Sequence, residues 1–254
     1  MQKLRNQTTE TIESLTKQGP YTIFDTKEFC RLRDALVCRL TLFNARRGGE
    51  ASRMTLEELQ DALNDKWIDK SKAEGITDEI GKRLLCETKV AYIRASKVAK
   101  LVPVLLPQDC FKALKIISDS DVRKSAGVHP SNDFAFPNTK LSLSHVTGWD
   151  CVDRLCREAK LDKNINATGM RHYIATEYAL LDVSQSDREL FYKHMGHSES
   201  MNEHIYQCPP AVREIINVGR VLENTDNNKD IEGKISTILR DQIHRKMISW
   251  FAIA

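Results

Sequence analysis

Apolar residues at helical spacing constrain this chain more than any other feature. Within residues 27–46, Phe29, Leu32, Leu36, Leu40 and Phe43 recur three and four apart, the period of one helix face. The run ends in Arg46-Arg47-Gly48-Gly49-Glu50, where the paired glycines favour a break. The same period predicts helices over residues 144–160, 168–181, 185–194, 200–207 and 210–223. Residues 86–106 read differently. CETKVAYIRA and LVPVLL are β-rich segments joined by a polar turn around residues 96–100. Pro107 is expected to open a helix at its first position, where a missing N–H costs nothing. Residues 120–142 read as loop. A helical chain with one hairpin is mostly α, an α+β domain with a small β-sheet.

Three segments follow from this patterning. Residues 1–26 form a helical lead-in and residues 27–223 the main domain. Residues 224–254 form a polar linker (NTDNNKD) and an amphipathic stripe of Ile231, Ile235, Ile238, Leu239, Ile243, Met247 and Phe251.

Composition narrows the function classes. The 254 residues allow one large domain or two small ones. At 41% hydrophobic and 29% charged, the chain is too apolar for a disordered protein and too charged for a membrane protein. Its longest apolar stretches, 101–106 and 248–254, are too short to span a bilayer. A net charge of +3 permits a nucleic-acid partner without requiring one. Seven cysteines with no CxxC pair suit free thiols in a reduced, intracellular compartment. The opening MQKLRNQTTE lacks the apolar core of a secretory signal.

Four polar clusters carry candidate chemistry. They are Arg47-Gly48-Gly49-Glu50, the basic hairpin with Lys89, Arg94, Lys97 and Lys100, the run Thr168-Gly169-Met170-Arg171-His172, and Met195-Gly196-His197 with Tyr206 nine residues on. Each has an ordinary reading alone. Arg47 can pair with a surface carboxylate, the lysines can protect an exposed strand edge, and His172 and Tyr206 can be packing residues. Together they supply what attack on a phosphodiester needs. Arginine binds two phosphate oxygens in bidentate fashion and stays charged. Histidine can bond or move a proton. Lysine can protonate a leaving alkoxide, and tyrosine can be the nucleophile.

The order and spacing of these residues resemble the catalytic domain of tyrosine recombinases, the phage-integrase type. The family's Arg-x-x-Glu falls on Arg47 and Glu50, its hairpin lysine on Lys97 or Lys100, and its His-x-x-Arg-His box on Thr168 to His172. Its Leu-Gly-His box falls on Met195-Gly196-His197, and its tyrosine on Tyr206. The wording NARRGGE and YKHMGHS resembles the eukaryotic mobile-element recombinases of the Crypton-like group.

The resemblance implies DNA breaking and rejoining, as in DNA recombination and integration, through a 3′-phosphotyrosine on Tyr206. Arg47, Arg171 and His197 would stabilise the pentacoordinate phosphate, and Lys97 would protonate the leaving oxygen. Glu50 and His172 would orient the arginines. Lys89, Arg94 and Lys100 would contact DNA. The implied partners are double-stranded DNA and further copies in a tetramer, with no membrane, cofactor or metal. The implied location is the nucleus in a eukaryote and otherwise the cytoplasm.

Two departures bear on this expectation. Thr168 stands where the family usually has histidine or lysine, and its hydroxyl is a poor base. Only about 25 residues precede the first catalytic helix, so the chain is expected to be a fragment, a degenerate copy or a subunit lacking the family's usual core-binding half. A catalytically decayed, DNA-binding or scaffold descendant is therefore the alternative. A zinc group of His194, His197, His204 and Cys208 is a weaker one, having the ligand types but no CxxC.

Overall fold

The computed structural model describes residues 2–17, 25–94, 101–161, 165–179 and 184–196. Its centre is the long helix read from residues 27–46. As the second helix, α2 (Thr26–Asn44), it follows α1 (Gln2–Thr16). Asp25 caps α2, accepting from the Glu28 N–H at 2.7 Å. Phe29, Leu32, Leu36 and Leu40 are buried as the periodicity requires, but so are Ala35, Val37, Cys38 and Leu42. A helix apolar on more than one side is surrounded, and α2 is. Phe43, expected in the core, is 42% exposed, with Arg39 5.0 Å from its ring. The lead-in helix α1 adds Leu4, Ile12 and Leu15 to the same hydrophobic core.

Residues 48–87, where the sequence reading assigned no helix, hold α3 (Gly48–Ser52), α4 (Leu56–Leu63), α5 (Lys70–Glu74) and α6 (Glu79–Glu87). A capping box opens α4. Thr55 Oγ1 accepts from the Glu58 N–H, and Glu58 Oε2 accepts from the Thr55 N–H. Neither α5 nor α6 buries a residue.

The predicted hairpin is present as β1 (Thr88–Arg94) and β2 (Leu101–Pro107), antiparallel, with Thr88 opposite Pro107 and Arg94 opposite Leu101. Ala91, Ile93, Val102, Val104 and Leu106 are its buried side chains. Pro107 ends β2 instead of starting a helix. The lack of an N–H is tolerated at a strand terminus, and a 3₁₀ turn (Gln108–Cys110) separates it from α7 (Phe111–Ser118). The stretch expected as loop begins with α8 (Ser120–Ser125), capped by Asp119, and its later turns are tied by Asn132.

The helix α9 (Gly148–Glu158) packs on α2 through Cys151, Val152, Leu155 and Cys156. A buried polar knot joins the two. Asp34 takes Arg33 at 2.8 Å and Arg154 at 2.9 Å, and the Cys151 thiol donates to it at 3.4 Å. The six described cysteines are free thiols. Burial pushes the Cys38, Cys110 and Cys151 thiols well above their ordinary range. That disfavours the thiolate and leaves them as packing groups.

The last described helices are α10 (Ala167–Ala179) and α11 (Gln185–Met195). They form a second, smaller core with the end of α2, in which Ala45, Met170 and Met195 meet and Ile165, Ile174 and Phe191 pack around them. Tyr178 stacks on Phe191 with ring centroids 3.7 Å apart. The helices expected over 200–207 and 210–223 and the stripe over 231–251 lie outside the described residues.

Candidate active site

The second core explains how three distant sequence clusters meet. Ala45 follows α2 in left-handed conformation, with φ 50°. This turns the chain so that the two adjacent arginines diverge. Arg46 turns inward and is 5% exposed, while Arg47 stays on the surface as the extended residue before α3. Glu50 was expected to orient Arg47 by the Arg-x-x-Glu spacing. It instead binds Arg46, whose Nε donates to Glu50 Oε2 at 2.6 Å across an i,i+4 step. Arg46 Nη1 is buried without a partner. Arg47 is exposed and makes no ion pair with another described residue.

The end of α11 closes on the same corner. His194 Nε2 donates to the Asn44 carbonyl at 3.3 Å. Gly196 ends α11 in the left-handed region, φ 64°, and a Cβ there would stand 3.4 Å from Arg46 Nη2. Glycine permits both the conformation and the close approach. Burial, and then the Arg46 charge, hold the His194 pKa below its ordinary value. The segment Met195-Gly196-His197 thus starts against Arg46. Arg171 is half-buried on α10 and directly follows Met170 of the shared core. Thr168 and His172 belong to the same helix.

The basic hairpin is less uniform than its sequence. Lys89 is engaged by Asp65 at 2.5 Å and lies 5.8 Å from the Phe111 ring centre. The Arg94 side chain is exposed, and its backbone N–H donates to Glu58 Oε1 at 3.1 Å. Glu58 therefore joins the start of α4 to the strand end leading into residues 95–100. Lys97, Lys100, His197 and Tyr206 lie outside the described residues.

Sequence reasoning missed Arg46 and Glu58. The signal for Glu58 was present in Thr55-x-x-Glu58, a capping-box pattern. Nothing local separates Arg46 from Arg47. Among the described residues no group of three metal-ligating side chains gathers, and His204 and Cys208 of the zinc alternative are not among those residues. No described helix is long and apolar enough to cross a membrane.

No family model and no curated protein matches the chain. Among solved structures it is similar to XerH site-specific recombinase bound to palindromic difH substrate, at 19% identity and a TM-score of 0.44 over 87% of this chain. It is also similar to XerA recombinase, at 18% identity and a TM-score of 0.43 over 77% of this chain. The chain spans about half of that XerH chain, 51%, and 62% of the XerA chain.

Proposed function

We propose that this chain cleaves and rejoins DNA as a tyrosine recombinase, with Tyr206 as nucleophile. The observation that carries the reading is the meeting of Ala45, Met170 and Met195. It packs together the chain neighbours of Arg46-Arg47, of Arg171 and of Gly196, which supports reading those clusters as one site. Two arginines and a histidine, if they converge on one phosphate, suit a group whose charge grows as it becomes pentacoordinate.

In this reading the Tyr206 phenolic oxygen releases its proton to solvent water and attacks the phosphorus, and the bond to the 5′-oxygen breaks. Lys97 protonates that oxygen, leaving a 3′-phosphotyrosine. Arg47 and Arg171 hold the non-bridging oxygens through bidentate bonds, and His197 adds a third contact. Thr168 donates a hydrogen bond to the phosphate but moves no proton near neutral pH. A second 5′-hydroxyl reverses the step, because the phosphotyrosine conserves the bond. Duplex DNA and further copies of the chain are the partners.

The test is a nicked duplex incubated with the protein and run on a denaturing gel. A covalent adduct that disappears in Tyr206→Phe supports the reading. Binding without adduct favours the decayed, DNA-binding descendant, for which Thr168 is the motivating residue. An adduct that survives Tyr206→Phe removes the nucleophile assignment.

A further inference from the structure

The helix α6 is amphipathic, and its apolar side is not covered by any described residue. Ile80 and Leu84 lie one turn apart on it, 65% and 51% exposed, with Ile76 a turn earlier. Leu84 and the exposed Phe43 share a groove of about 570 Å³ between α1, the end of α2 and α6. The groove's rim is acidic. Glu10, Glu13, Glu87 and Asp109 line it against only Arg5 and Arg39, and Arg39 is already bound to Asp109 at 2.8 Å.

An occupant must therefore be apolar on one side and cationic on the other. A duplex is neither. Residues 231–251 are both. Their apolar stripe recurs at helical spacing, and Lys234, Arg240, Arg245 and Lys246 outnumber Glu232 and Asp241. An isolated helix of this length is marginal in water, so such a stripe needs a surface. The path is short. The groove residue Phe43 adjoins Asn44, whose carbonyl takes His194 near the end of α11. Residues 197–230 follow, which can extend to roughly 110 Å.

We propose that residues 231–251 dock in the groove of their own chain, laying the apolar stripe on Leu84, Ile80 and Phe43 and the cations on its carboxylates. The assignment is independent of catalysis.

The experiment uses the full chain with Leu84 replaced by the photo-crosslinker p-benzoylphenylalanine. Leu84 is exposed, so the replacement does not disturb the core. Isotopically light and heavy chains are mixed, irradiated and digested, and the crosslinked peptides are read by mass spectrometry. The expected product joins α6 to residues 231–251 within one isotope class. Its yield falls in Ile238→Asp and in Arg245→Glu with Lys246→Glu, and falls with added salt. Mixed light–heavy products would assign the groove to a second copy and overturn the proposal. So would crosslinks to another segment, no crosslink at all, or a yield indifferent to charge reversal.

Discussion

Arg46 Nε donates to Glu50 Oε2 at 2.6 Å, and their side chains are only 5% and 11% exposed. Removing one member of such a pair strands the other charge in a poor solvent for ions, which typically costs about 3–5 kcal/mol. Glu50→Ala is expected to lower the unfolding free energy by about 3 kcal/mol. The exposed Arg47→Ala should change it by less than about 0.5 kcal/mol, while abolishing any covalent DNA adduct. Urea denaturation of both variants checks the contrast. Equal losses would mean that the two arginines do not divide structure from phosphate binding.

Glu58 should matter beyond its own helix. Its carboxylate takes the Thr55 N–H at 2.9 Å and the Arg94 N–H at 3.1 Å. Thr55→Ala removes only the cap and should cost about 1 kcal/mol. Glu58→Ala also frees the strand end that leads to Lys97. Hydrogen exchange at the Arg94 amide should accelerate in Glu58→Ala more than in Thr55→Ala. Protection unchanged in both would show that Glu58 does not hold the hairpin.

His194 sets a pH dependence of stability. Its folded pKa is depressed by burial and by Arg46, with Glu50 and the Asn44 carbonyl acting in the opposite sense. The unfolded chain then binds this proton at higher pH than the folded one. The stabilisation is fully present above the unfolded value, about 6.5. It is lost as the pH falls through the depressed folded value. Thermal melts between about pH 7.5 and pH 5 should fall further for wild type than for His194→Asn. Parallel curves would show that His194 takes no part.

Salt dependence of DNA binding should separate the hairpin cations. Each neutralised phosphate contributes about 0.9 to the slope of log affinity against log salt. Arg94 is exposed, whereas Lys89 is held by Asp65. Arg94→Ala should reduce the slope by about one unit, and Lys89→Ala by clearly less. A larger effect at Lys89 would mean that DNA draws it away from Asp65.

Much of the architecture was legible because burial imposes a period. The apolar spacing in α2, the β-rich composition of β1 and β2, and the patterned stretches of α9, α10 and α11 all belong to elements that face something, so their sequences carry the signal. The helices α5 and α6 bury nothing, and the sequence reading assigned no element there. Pro107 has a fixed φ that suits a helix's first turn and a strand's last residue alike. Its pairing with Thr88 decided between them.

By itself the sequence determined the residue types and their order: two arginines before Gly48, an arginine after Met170, a glycine after Met195, a tyrosine nine residues past His197. It could not choose between Arg46 and Arg47. They are identical neighbours, and Glu50 lies four residues from one and three from the other. Tertiary packing chose. Ala45 is held against Met170 and Met195 in a left-handed conformation, and that single backbone turn sends Arg46 to Glu50 and leaves Arg47 to solvent. Side-chain identity is written locally. The direction a side chain takes depends on dihedral angles that only contacts from α10 and α11, more than a hundred residues away, hold in place.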